Sequence, residues 1–211
     1  MHIVLIQPYR LKRHFWHYPD LVRQGKVLYV GVSEWTADQI KQGADLTREL
    51  KVPFVASQPQ YSMLWRIIEA EVIPACEQEG IGQVVWSPLA QGILSGKYAV
   101  DKPLPEGSRA STTAGSPFFE RLAGQWLRKE VLQAVEQIRP IAQENGLTLP
   151  QLAVAWVLQN LQVSSAIIGA SKPEQVKENV KAAGVRLDGE IMRQIDSILN
   201  GVVERDPSKT G

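Results

Sequence analysis

The strongest constraint on this chain is the order in which apolar runs and helical patterns alternate, with short connections between them. Lys26 to Val32 reads KVLYVGV, a β-branched, apolar run suited to a buried strand. Thr36 then caps a helix, with Gln39 at the capping-box position, and Ile40, Ala44 and Leu50 lie broadly on one face of it. Pro53 to Gln58 is the next strand, and a helix around Ile67 to Glu79 follows. Gln83 to Trp86 is apolar enough for a third buried strand. Strand, helix, strand, helix, strand with short links implies βαβ units and a parallel sheet. Barrels and open sheets of this kind both carry their sites at the carboxyl ends of the strands. Three such ends bear polar or aromatic groups here: Ser33-Glu34, Ser57-Gln58 and Trp86-Ser87.

The third strand end opens into SPLAQGILSGKY. Ser87-Pro88 stops the strand, because proline cannot donate to a ladder. A loop with Gly92 and Gly96 follows, then a lone cation, Lys97. A buried strand feeding a glycine loop with a lysine suits a phosphate-bearing ligand; the alternative is a turn and a solvated lysine. Residues 99–124 are rich in Gly, Pro, Ser and Thr, and read as one long loop of the lid or binding type. Arg109 stands within it, where folding of the loop brings Lys97 and Arg109 to one anion or leaves both facing solvent.

Leu127 to Asn145 reads as a helix stopped by Gly146, and Thr148-Leu149-Pro150 starts another that runs to about Asn160. Val163 to Ile168 is a further strand, followed by Gly169-Ala170-Ser171. Ser171 is the expected N-cap, in a capping box with Pro173 in the first turn. Such a helix start presents free N–H groups and a positive dipole end to an anion. Gln175, Glu178 and Asn179 share one helix face, where they read a nucleotide or form a wet surface. A helix from Gly189 to Leu199 and a fraying polar tail, residues 200–211, close the chain.

Composition excludes several functions. The 211 residues make one domain with a real core, and a formal net charge of +1 removes the general electrostatic case for nucleic acid or a membrane surface. No apolar run approaches the roughly 20 residues that span a bilayer. One cysteine, Cys76, points to a reducing, cytoplasmic setting and reads as a small packed residue. Residues 1–20 fit the pattern poorly. Ile3 to Ile6 makes a short strand, and the basic-aromatic mix from Tyr9 to Tyr18 reads as an N-terminal arm. His14 and His17 have the i, i+3 spacing of a helical metal pair, but no Cys, Asp or Glu stands near them before Asp20.

With these pieces assembled, the chain resembles the aldo/keto reductase family, in the branch that holds the β subunits of voltage-gated potassium channels and their bacterial relatives. The matching text is GKVLYVGVSEW, SQPQYSML, WSPLAQGILSGKY, SRAS, TLPQLAVAWVL and GASKPEQVKENV, in order between Leu21 and Leu199. The resemblance implies a (β/α)8 barrel binding NADP(H) in an extended pose. Carried over by position, it places Ser33 and Gln58 on the nicotinamide carboxamide and Trp86 on the nicotinamide ring. Ser87, Pro88, Leu89, Ala90 and Gly92 would line the pyrophosphate, and Lys97 and Arg109 would supply charge to the phosphates. Gly169 and Ser171 would meet the 2′-phosphate side, and Gln175, Glu178 and Asn179 the adenosine end. Glu34 stands where the family usually has Asn or Arg, and a carboxylate there weakens a direct cofactor contact.

The family's catalytic Asp, Tyr, Lys and His lie on its first four strands, and the resemblance starts just before the fifth. No catalytic residue is therefore assigned. Tyr9, Lys12, His14 and Tyr18 have suitable types for proton transfer, but nothing places them at the site. The expectation is the C-terminal part of a reductase, from a truncated gene or a mispredicted start. It would form an incomplete barrel of four to five parallel strands with open edges and a tendency to self-associate. Three functions follow: an NADPH-dependent reductase of aldehydes or ketones, an NADPH-binding regulatory or sensor subunit, or a non-functional remnant.

Overall fold

The computed structural model describes the backbone of residues 3–6, and residues 17–210. The strands β1 (Ile3–Ile6), β2 (Tyr29–Val32), β3 (Phe54–Ser57), β4 (Gly82–Trp86) and β5 (Val163–Ile167) form one sheet in that order. Every pairing is parallel. Spatial order follows sequence order, so each crossover moves the chain one strand along, as the βαβ reading requires. Among the described residues the sheet is an arc with β1 and β5 at its edges, the incomplete barrel expected from the sequence.

Helices α1 (Tyr18–Arg23), α2 (Ala37–Leu50) and α3 (Val72–Gln78) connect the first four strands. Four helices lie between β4 and β5: α4 (Arg109–Thr112), α5 (Pro117–Gln125), α6 (Lys129–Glu144) and α7 (Leu149–Val157). Helices α8 (Pro173–Asn179) and α9 (Gly189–Leu199) follow β5. The α2 start carries the predicted capping box: Thr36 Oγ1 accepts from Gln39 N at 3.3 Å, and Thr36 N donates to Gln39 Oε1 at 2.9 Å.

Register assigns the two faces of the sheet. Val32, Ser57, Gln83 and Val163 pair in sequence across β2 to β5, so their side chains share one face, and all four are buried. That face joins the core that includes Ile40, Cys76, Val85, Ile138 and Trp156. The opposite face carries Gly31, Ala56 and Gly82 in one row, and Trp86 paired with Ile167 in another. Ile167 is 44% exposed and Tyr29 39%, so this second face is only partly covered. In a closed (β/α)8 barrel it is the interior face.

Two expectations need correction. Residues 99–124 are not one long loop, because α4 and α5 form inside them. Their caps explain this: Ser108 Oγ accepts from Ser111 N at 3.2 Å, and Ser116 Oγ accepts from Phe119 N at 3.1 Å, with Pro117 in the first turn of α5. Nor does the polar tail fray as a whole. Glu204 N donates to Leu64 O at 2.9 Å and Arg66 N donates to Glu204 O at 2.8 Å, which pairs the tail with the segment before α3. The Arg66 guanidinium, 10% exposed, then reaches Glu69 at 2.8 Å and also Asp196, and lies 4.8 Å from the Trp156 ring centroid. From the tail, Arg205 joins this cluster by donating to Glu69 Oε2 at 3.4 Å.

Cys76 is buried against Gln83 and Ser57, and burial pushes its thiol up to about 11 despite those polar contacts. At pH 8 only about one thiol in a thousand is then ionised, so the native protein resists alkylation and reacts stoichiometrically once denatured. Rapid modification of the native protein by iodoacetamide would contradict this. Gly43 supplies a second test. A Cβ there would meet Trp35 Cζ3 at 2.7 Å and Phe54 Cε1 at 3.4 Å. Gly43→Ala therefore destabilises by about 1–3 kcal/mol in urea denaturation, although alanine is the better helix former.

Candidate functional site

Parallel pairing puts Ser33, Gln58, Ser87 and Ile168-Gly169 at one edge, just beyond the carboxyl ends of β2, β3, β4 and β5. This edge is built by contacts between strand ends. Gln58 N donates to Val32 O at 2.7 Å, and Ser33 Oγ donates to Gln58 O at 2.7 Å. Ser33 and Gln58 thus come together. The Ser33 hydroxyl proton is committed to a backbone carbonyl.

Trp86 is held on three sides. Its N–H donates to Pro59 O at 3.0 Å, and its carbonyl accepts from Tyr61 N at 3.2 Å. Its indole Nε1 donates to Glu34 Oε1 at 2.7 Å, and the same oxygen accepts from Gln60 N at 2.7 Å. Burial raises the Glu34 carboxyl above the ordinary carboxylate range, while the hydrogen bonds from Trp86 and Gln60 pull it back. Glu34 therefore ties the ends of β2, β3 and β4 together. The resemblance implies a carboxylate beside the cofactor; here the carboxylate is engaged by Trp86 and Gln60.

The turn after β4 winds through left-handed backbone. Ser87, Ala90, Gln91 and Gly92 have φ of 59°, 46°, 59° and 97°. Non-glycine residues adopt this region at a cost, and it clusters at functional sites. Ser87 Oγ accepts from Gln91 N at 3.1 Å, and Ala90 N and Gly92 N donate to Ser87 O and Leu89 O at 2.9 Å each. These N–H groups are used inside the turn, so its capacity for an anion comes from side chains. Pro88 and Ala90 are buried under the turn, and Leu89 is half-buried.

Two cations meet at this turn. A Cβ on Gly92 would lie 3.2 Å from Lys97 Cε and Nζ, so glycine leaves room for the lysine to fold back over the backbone. Lys97 Nζ also lies 5.2 Å from the Tyr98 ring centroid, and no carboxylate pairs with it among the described residues. Arg109 Nη1 donates to Gln91 Oε1. Tyr98 Oη accepts from Ala110 N at 3.3 Å, which anchors the Arg109 segment to the residue after Lys97. Lys97 and Arg109 thus sit on neighbouring residues, Gly92 and Gln91. A cation without a carboxylate partner beside a guanidinium is the donor set that a phosphate group needs.

The region after β5 departs from expectation. The N-cap of α8 is Lys172 rather than Ser171. Ser171 N and Oγ donate instead to Gln175 Oε1 at 2.8 and 3.2 Å, and Lys172 N donates to the same atom at 3.3 Å. The Gln175 side chain reaches back to the N–H groups of residues 171 and 172, the return half of a capping box, while no serine oxygen serves the first N–H groups of the helix. Gln175, Glu178 and Asn179 do not form one wet face either: the first two are exposed and Asn179 is buried. Glu178 is tied down, its backbone carbonyl accepting from Gln151 Nε2 at 2.9 Å and its carboxylate from Lys181 at 2.6 Å. Gln151, which also caps α7, is the residue that sequence reasoning missed here. Gly169 is exposed and without close neighbours.

Of the residues considered for proton transfer, Tyr9, Lys12 and His14 lie outside the described residues, and so does one half of the His14–His17 pair. Tyr18 starts α1 and packs against the core, with burial raising its phenol. No group of three or more metal-ligating side chains occurs among the described residues. None of the described helices is long and apolar enough to cross a membrane. A cavity of about 210 Å³ opens between residues 98–105 and the start of α6, lined by Val100, Leu104, Leu127 and Leu132, away from the strand ends.

Comparison with known proteins places this geometry. The model of the aldo/keto reductase family matches residues 15–200, a few residues earlier than the motifs begin. A Schizosaccharomyces pombe protein named as a voltage-gated potassium channel subunit beta is 45% identical over 190 residues, 87% of this chain and 53% of the relative. Proteins with corresponding names from Arabidopsis thaliana and Oryza sativa are 38% and 36% identical, over 89% of this chain and 57% of each relative. The chain spans about half the length of the curated relatives it matches. A parallel βα arc with these strand ends, matched over most of its length, belongs to the aldo/keto reductase family.

Proposed function

We propose that this chain carries the NADP(H)-binding half of an oxidoreductase that reduces aldehydes or ketones. The observation that carries the reading is the convergence at one strand edge of an anchored Trp86 and two cations, Lys97 and Arg109. An aromatic face suits a nicotinamide ring, and the cation pair suits the phosphates of a dinucleotide. Ser33 and Gln58, bonded to each other at the ends of the neighbouring strands, take the role of carboxamide partners. Ser87, Pro88, Leu89, Ala90 and Gly92 give the turn its shape. Gly169, Ser171, Gln175, Glu178 and Asn179 supply the adenosine side, with Ser171, Gln175 and Glu178 as the exposed polar groups.

When bound, NADPH supplies a hydride to a carbonyl carbon, and the carbonyl oxygen takes a proton. The chain's own residues bind, orient and neutralise charge; no proton donor is assigned among them. A second reading is an NADPH-binding regulatory subunit, which the names of the relatives favour and which needs only the same cofactor contacts. A cytoplasmic setting, and self-association through the edges of the arc, belong to both readings.

Calorimetric titration and turnover distinguish them. NADPH binds saturably and more tightly than NADH, and Lys97→Ala and Arg109→Ala each weaken it by about tenfold, the scale of one charge-assisted contact. Equal affinity for NADPH in both variants and the wild type would contradict the assignment of the phosphate site. Consumption of NADPH with 4-nitrobenzaldehyde supports the reductase, whereas binding without turnover leaves the regulatory reading.

A further inference from the structure

We propose that Glu34 is a positioning residue: its carboxylate fixes the orientation of the Trp86 indole on which the nicotinamide stacks. This rests on the reading of the strand edge as an NADP(H) site. The resemblance brings Glu34 to the cofactor directly, whereas here it acts through Trp86.

Three independent observations converge on it. First, one oxygen, Glu34 Oε1, accepts from both Trp86 Nε1 and Gln60 N at 2.7 Å each. Two donors from two different strand ends set that oxygen in place, and the oxygen in turn sets the indole plane. Hydrogen bonds to an ionised acceptor are stronger than neutral ones, so the clamp is stiffer than an amide would make it. Second, Glu34 sits at φ 58°, left-handed backbone that glutamate adopts less readily than asparagine or glycine. That backbone carries a side chain whose carboxylate oxygen meets both Trp86 Nε1 and Gln60 N. Third, Trp86 is half-buried, with its backbone already paired to Pro59 and Tyr61, so indole rotation is the freedom left for Glu34 to remove. Ordering an aromatic ring before the ligand arrives lowers the entropic cost of binding.

Two variants separate positioning from folding. Glu34→Asn suits the left-handed backbone but is one methylene too short to reach the indole. Glu34→Gln keeps an oxygen acceptor at full length. The readouts are NADPH affinity by calorimetry and the hydrogen exchange of the Trp86 indole N–H in ¹⁵N spectra, assigned with Trp86→Phe. The wild type shows a protected Trp86 indole without cofactor. Glu34→Asn still unfolds in one cooperative transition in urea, loses that protection and binds NADPH about tenfold more weakly. Glu34→Gln retains protection and recovers affinity to within about threefold of wild type.

A folded Glu34→Asn protein with wild-type affinity would overturn the proposal, as would an unprotected Trp86 indole in the wild type. Failure of the wild type to bind NADPH, with the indole protected, would instead overturn the parent reading of the site and remove the positioning role with it.

Discussion

Trp86 is the point on which the carboxyl edge of the sheet depends. Its backbone bonds to Pro59 and Tyr61 tie β4 to the segment after β3, and its indole bond to Glu34 reaches the end of β2. Three strand ends are thereby fixed relative to one another through one residue. Strand ends are otherwise the least constrained part of a parallel sheet, because the ladder stops there and polar groups must find other partners. Here those partners are each other, so the edge that carries the candidate site is also locked.

The second element of the site is a turn shaped by conformation rather than by exposed N–H groups. Successive left-handed residues from Ala90 to Gly92 reverse the chain tightly. The reversal lets Lys97 lie over Gly92 and lets Gln91 meet Arg109. Charge is thus gathered where the backbone donors have been used up internally. Behind the sheet, the buried row of Val32, Ser57, Gln83 and Val163 anchors the same strands to the helices. The opposite, partly covered face leaves Trp86 accessible at the edge.

Much of this is legible in the sequence. The βαβ order implies the parallel sheet, the Thr36–Gln39 pair marks the start of α2, and SPLAQGILSGKY marks the turn. Local signals determine such features. Ser108 and Ser116 are equally local cap signals, yet a Gly- and Pro-rich composition masks them, so that residues 99–124 read as loop. Other contacts have no local signal at all. Glu34 meets Trp86 across 52 positions, Gln151 meets Glu178 across 27, and Arg205 of the tail meets Glu69 across 136. Only the fold brings such pairs together, which is why Glu34 reads as a misplaced charge and the tail as a loose one. Ser171 does not cap α8 because its hydroxyl donates to Gln175 Oε1, four residues on, and its N–H does the same.

A titration of NADPH followed by tryptophan fluorescence, in the wild type and in Trp86→Phe, bears most directly on the site. Six tryptophans contribute to the signal, so the variant isolates the one that matters. Saturable quenching is expected in the wild type and is largely lost in Trp86→Phe. Quenching of equal depth in both proteins, or none in either, would contradict the placement of the cofactor at this strand edge.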